Sequence, residues 1–194
     1  MTFQQEFPHA HINALRYLST RDAHDNTPNW SRRYEWEYAF RACSSGNSHT
    51  ILNAACGTNA LHISFARRLS AISTVFNCDM SVPTVKGFDN FFVHDILKPF
   101  PAMYDDVVCV STVEDFVDPD MISQAVLNLI RHAKRRVIIT ADIYDKVKPE
   151  WFSRIVGLPD TWDFIGQDAL TGANSSYPQY EFTHLKVMLL EINL

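Results

Sequence analysis

Acidic residues recur in one setting along this chain, each at or just past the end of an apolar run that reads as a β-strand. Asp79 closes Val75-Phe76-Asn77-Cys78, Asp95 closes Phe91-Phe92-Val93-His94, Glu114 and Asp115 follow Val107-Val108-Cys109-Val110-Ser111-Thr112-Val113, and Asp142 follows Ile138-Ile139-Thr140-Ala141. Carboxylates gathered on one sheet edge can accept paired hydroxyls, hold an amine or remove a proton. A second kind of chemistry belongs to the segment Thr50-Ile51-Leu52-Asn53-Ala54-Ala55-Cys56-Gly57-Thr58-Asn59-Ala60-Leu61, where an apolar strand enters a small-residue turn and reopens as a helix. The small residues Ala55, Gly57 and Ala60 let a ligand reach backbone N–H groups at the helix N-terminus. Asp79 stands about 20 residues beyond that turn, the spacing at which a carboxylate takes two ribose hydroxyls. The pattern points to a nucleotide-like ligand.

The elements that must position these groups alternate. The reading places strands at 50–55, 74–79, 90–95, 105–111 and 136–142, with helices over 59–70 and 119–133 and Pro119 in the first turn of the second. Such alternation predicts a three-layer α/β fold with a mostly parallel sheet. Two further strands, 161–165 and 185–192, flank the turn-rich stretch 171–178 and predict an antiparallel C-terminal hairpin, making seven strands. Upstream, Ser31 is expected to cap a helix with Tyr34, Tyr38 and Cys43 on one stripe, and residues 12–18 to carry some helix in a polar, His-rich extension. Residues 1–46 therefore read as an extension and helix packing on the core, and 47–194 as the Rossmann-like domain, one domain overall.

Composition narrows the partners. The 194 residues are 46% hydrophobic with a net charge of −5, which suits a compact protein and gives no basic footprint for nucleic acid. The cluster Arg131-His132-Ala133-Lys134-Arg135-Arg136 reads as a helix end, where cations suit the macrodipole. Cys43, Cys56, Cys78 and Cys109 lack CxxC spacing and read as reduced core residues, and the scattered histidines form no metal motif, so no metal is expected. No apolar run is long enough to span a bilayer and no leader pattern is present, so the expected address is cytoplasmic, with no membrane partner.

The fourth strand, Tyr104-Asp105-Asp106-Val107-Val108-Cys109-Val110-Ser111-Thr112-Val113-Glu114-Asp115, completes a pattern. The pieces LNAACGTN, NCDMS, VHDI and YDDVVCVSTVED, in this order over residues 48–142, resemble the class I S-adenosylmethionine-dependent methyltransferase family, whose corresponding motifs read LDxGCGTG, GxDxS, xxxDI and FDxVxxSxxxEH. The resemblance implies S-adenosylmethionine as cofactor and methyl transfer to a small-molecule or sugar-like acceptor. It implies that Asp79 and neighbouring Met80 meet the ribose, that Asp95 binds the adenine amino group with Ile96 on the ring, and that Asn53, Ala55, Cys56, Gly57 and Asn59 meet the methionine moiety. Ser111 and Thr112 would line the sulfonium side.

Departures from the pattern are specific. Asn53 replaces the first-strand acid, Ala55 and Asn59 replace glycines, and Asp115 stands where a histidine is common. Asn59 is expected to be tolerated because Asn enters the left-handed region readily. Candidate bases are Glu114, Asp115 and Asp142. The altered loop also supports a rival reading, a catalytically silent relative that binds ligand weakly or acts as a scaffold, over which an enzyme is favoured. A dinucleotide-binding dehydrogenase is a poorer match: Ala55-x-Gly57-x-x-Ala60 only approximates GxGxxG, and Pro149 disfavours the helix that the Tyr144 to Lys148 spacing would need. Of Trp30, Trp36, Trp151 and Trp162, Trp36 is the best candidate to line an acceptor pocket.

Overall fold

The computed structural model describes residues 6–7, 11–14, 30–116, 118–143 and 186–194. The sheet strands are β1 (His11–Ala14), β2 (Thr50–Ala54), β3 (Thr74–Asp79), β4 (Phe91–Val93), β5 (Tyr104–Val110), β6 (Ala133–Ile143) and β7 (Lys186–Asn193). Among the described residues the helices are α1 (Trp30–Ser44), α2 (Ala60–Ser70) and α3 (Pro119–Arg131), and a 3-10 turn lies at Val113–Asp115. Strand order is β1-β7-β6-β5-β2-β3-β4. The five strands from β6 to β4 are parallel, while β7 runs antiparallel to β6 and to β1.

Period-two alternation explains the three layers. Leu52, Ala54, Val107, Cys109, Val137 and Ile139 join the core cluster that contains Ile122, Val126, Leu129 and Ile130 of α3. The residues one position away, Ile51, Val108, Val110 and Ile138, join Trp36, Tyr38 and Ala39 of α1 and Phe65 and Leu69 of α2. Both faces of the sheet centre are therefore covered, as parallel strands require. Burying each large α3 side chain is worth about 1.5–3 kcal/mol, which outweighs any preference of the isolated helix. Asp118 caps α3 by accepting the Asp120 N–H at 2.9 Å, and Pro119 occupies its first turn.

Three expectations need correction or qualification. Residues 11–14 form a strand, not helix, because Ile12 and its neighbours find a ladder partner in β7, with Ile12 opposite Ile192. The antiparallel edge is consequently β6, β7 and β1, whereas the expected 161–165 strand lies outside the described residues. The cation run 131–136 does not end a helix as a whole. Arg131 lies in the last turn of α3, but Lys134, Arg135 and Arg136 belong to β6.

The last two of those cations meet a buried acid. Asp106, fully buried on β5, accepts from Arg135 Nε at 3.0 Å and Nη2 at 2.7 Å, from Arg136 Nη2 at 3.0 Å and from the Ser48 hydroxyl at 2.5 Å. Arg136 also donates to Glu191 at 3.2 Å and to the Ser45 hydroxyl at 3.1 Å. The network cross-links β5, β6, β7 and the segment before β2 at the end of the sheet opposite the strand C-termini. Asp106→Ala leaves Arg136 buried without this carboxylate, and is expected to cost about 3–5 kcal/mol in a urea unfolding experiment. A loss below about 1 kcal/mol would show that water replaces the acid.

Candidate functional site

Strand order reverses between β2 and β5: β2 connects through α2 to one side of the sheet, β5 through α3 to the other. A crevice opens at such a point beyond the strand C-termini. Here it contains a cavity of about 230 Å³.

The loop after β2 forms its floor. Ala55 and Gly57 both take left-handed backbone conformations, with φ of 49° and 74°. For Ala55 this costs about 1–2 kcal/mol relative to a right-handed conformation. Neighbouring bonds hold it there: the Cys56 N–H donates to the Cys78 carbonyl at 2.8 Å, and the Gly57 N–H to Asp79 Oδ2 at 3.0 Å. Asp79 Oδ1 accepts the Ser81 N–H at 3.0 Å, so one carboxylate ties the β2 loop to the turn after β3. Thr58 extends the clasp, its carbonyl accepting from both the N–H and the hydroxyl of Thr84 at 3.0 Å. Across the cavity Ser111, just past β5, is also left-handed at φ 49°. Two non-glycine residues in that region on adjacent strand ends mark a place where packing dictates the backbone.

The cavity gathers Asn53, Ala55, Cys56, Gly57, Asp79, Ser111, Thr112 and Asp115 from the expected site residues. Asn53 is 2% exposed, and its amide donates to Asn77 Oδ1 at 2.9 Å, making a buried pair between strand neighbours. Asn59 lies outside the lining. It is extended at φ −105°, not left-handed, and caps α2 by accepting the Leu61 and His62 N–H groups at 3.0 and 3.3 Å. Met80 is 68% exposed, Ile96 is buried in the core with α3, and Asp95 accepts the Leu97 N–H at 3.0 Å, none of them at the cavity wall. Glu114 is buried and is not among the lining residues, and the backbone of Asp142 pairs with Val187 in the β6 ladder.

Part of the lining is aromatic. Trp36 of α1 stacks on Phe65 of α2, with centroids 5.4 Å apart and planes within 6°. It meets His62 edge-on at 6.1 Å. Trp36, His62 and Phe65 all line the cavity, with Val110 beneath. Sequence reasoning missed His62, Phe65 and Val110. The available signal was the three-residue spacing of His62 and Phe65, which puts both on one face of α2. Gly57 is demanded by this packing as well as by its φ, since a Cβ there would stand 2.0 Å from Nδ1 of His62.

Chemically, the described lining carries two carboxylates, Asp79 and Asp115, and no Lys or Arg. It suits a ligand with hydroxyls and positive charge better than one with phosphates. Cys56 is not poised as a nucleophile, because burial and then the nearby Asp79 charge push its thiol above the ordinary range. Burial likewise raises Cys43 and Cys109, and pushes Cys78 up to about 12. The sign is simple: at pH 8 all four remain protonated. Ellman's reagent at that pH should therefore react with the native protein far more slowly than with urea-unfolded chain. A rapid native thiol would contradict the buried assignment.

No family model and no curated protein matches the sequence. Solved structures do. The chain is similar to the N-methyltransferase NodS from Bradyrhizobium japonicum WM9, in complex with S-adenosyl-L-homocysteine, with 13% identity over 87% of this chain and 89% of that one and a TM-score of 0.58. It is also similar to an S-adenosylmethionine-dependent methyltransferase from Clostridium acetobutylicum ATCC 824, at 13% identity, 80% and 89% coverage and a TM-score of 0.55. Layer order, the switch point between β2 and β5 and the antiparallel β7 agree with this likeness, and the chain has the fold of the class I S-adenosylmethionine-dependent methyltransferases.

Proposed function

We propose that this chain transfers a methyl group from S-adenosylmethionine to a small-molecule acceptor. The observation that carries the reading is the left-handed Ala55–Gly57 loop clasped by Asp79 at the floor of the switch-point cavity. A carboxylate has about four lone-pair sites, so Asp79 can hold the Gly57 N–H and still accept from ribose hydroxyls. Asp95, partly exposed one strand further out, would take the adenine amino group beside Ile96. The loop would face the methionine moiety, with Ser111 and Thr112 at the sulfonium side. NodS, which shares the fold, is an S-adenosylhomocysteine complex.

The bound cofactor would supply an electrophilic methyl group on a positively charged sulfur. The protein's part is mostly alignment of acceptor with methyl and sulfur, which can contribute several kcal/mol. On transfer the sulfur would keep the electron pair of the broken carbon–sulfur bond, and the acceptor, gaining the methyl carbon, would give up a proton. Asp115 and Trp36 both line the cavity; Asp115 would receive that proton and Trp36 would pack against the acceptor. A net charge of −5 supports a small molecule over nucleic acid.

Asn53, Ala55 and Asn59 motivated the silent reading, yet Asn53 closes an amide pair, Ala55 keeps the left-handed turn and Asn59 caps α2. Each change thus has a structural role that leaves the cavity open. Calorimetric titration with S-adenosylhomocysteine should show binding, abolished or weakened at least about a hundredfold by Asp79→Ala. Absence of heat and of thermal shift at millimolar ligand would sink the reading. Ala55→Gly should leave that affinity within about threefold, and a large gain would return the silent relative to favour.

A further inference from the structure

In the turn after β4, which carries Asp95, each main-chain carbonyl from 95 to 98 has a hydrogen-bond partner. The Asp95 carbonyl accepts the Lys98 N–H at 2.9 Å, and the Lys98 carbonyl lies 3.1 Å from Nε2 of His94. The two carbonyls between them are taken by a different element. Asn128 Nδ2 donates to the Ile96 carbonyl at 3.1 Å, and Gln124 Nε2 to the Leu97 carbonyl at 2.6 Å. Gln124 and Asn128 are one helical turn apart on α3, so a single stripe of that helix brings two side-chain amides to consecutive carbonyls. Asn128 is 5% exposed, at a position where an apolar side chain would serve packing alone. Within the turn Asp95 Oδ1 accepts the Leu97 N–H at 3.0 Å, so holding residues 96 and 97 also holds the carboxylate. The His94 N–H donates to the Asp79 carbonyl at 2.9 Å and ties the turn to a residue of the cavity lining.

We propose that Gln124 and Asn128 are positioning residues for purine selection: by fixing the 95–98 turn from α3, they set the Asp95 carboxylate to accept a 6-amino purine and reject a 6-oxo one. The inference rests on the reading of Asp95 as the adenine contact. A carboxylate offers acceptors only, so it pairs with an amino group and opposes a carbonyl oxygen. One that is free to move could turn instead to the ring N1–H that the 6-oxo form carries, and the contrast between the two purines would be lost. Rigidity at Asp95 is therefore what selection requires, and α3 supplies it through two amides that touch no ligand.

S-adenosylhomocysteine and its 6-oxo analogue, S-inosylhomocysteine, differ only at that edge of the purine. Each is titrated by calorimetry into the wild type, Gln124→Leu, Asn128→Leu, and Asp95→Ala as the control that removes the carboxylate. The wild type should prefer the amino compound by about tenfold or more, the usual worth of a hydrogen bond to a charged group. Asp95→Ala should erase that preference, and Gln124→Leu and Asn128→Leu should each reduce it at least about threefold. An undiminished preference in the α3 variants, with or without an equal loss of affinity for both compounds, would show that the amides only support the fold; it overturns the proposal and leaves the cofactor site standing. A wild type that binds both compounds alike, or a preference that survives Asp95→Ala, overturns it too. If neither compound nor S-adenosylmethionine binds the wild type, the cofactor reading fails and the proposal with it. Gln124 is exposed, so Gln124→Leu still reads the effect where Asn128→Leu does not fold.

Discussion

The junction of two chain segments at Asp79, the loop after β2 and the turn after β3, governs this structure. One carboxylate receives the Gly57 N–H from the loop after β2 and the Ser81 N–H from its own turn, while the Cys56 N–H is taken by the Cys78 carbonyl. These bonds make a left-handed backbone tolerable at Ala55, and that turn directs the chain into α2. The position of α2 in turn sets Phe65 against Trp36 and His62 over Gly57. The cavity wall therefore depends on a few backbone bonds at the end of two strands.

Opposite ends of the sheet are held by different means. At the strand N-termini, Asp106 and its guanidinium partners cross-link several segments in a buried, charge-assisted network, which is costly to open. At the C-termini the links are backbone turns, caps and aromatic contacts, with positive φ at Ala55 and Ser111. One end is a fixed base and the other holds its shape under local strain, a division found where scaffolds carry binding loops.

Much of the fold could be read from local pattern. Short apolar runs marked β2, β3, β5 and β6, and Asp118-Pro119 marked the start of α3, because these signals act within a few residues. What escaped is nonlocal. β1 exists through pairing with β7 near the other end of the chain, and four residues carry no periodic signature of their own. Arg135 and Arg136 read as part of a helix end because the acid that neutralises them lies on another strand. At the site, the turn and the acids were legible as motifs. His62 and Phe65 were not, since an apolar helix face reads as core until the register of α2 against α1 is known. Asn53 with Asn77 shows the same limit, two polar residues made compatible with burial only by strand register.

Among the described residues the outer strands of the sheet are β4 and β1, of three and four residues. No helix lies between β3 and β4 or between β4 and β5, so the β4 flank exposes Met80, Val82 and Val93. A longer strand beside such an apolar rim would offer an incoming chain a ladder of main-chain donors and acceptors. Three residues present few such groups, and a very short edge strand is one of the devices that limit edge-to-edge pairing.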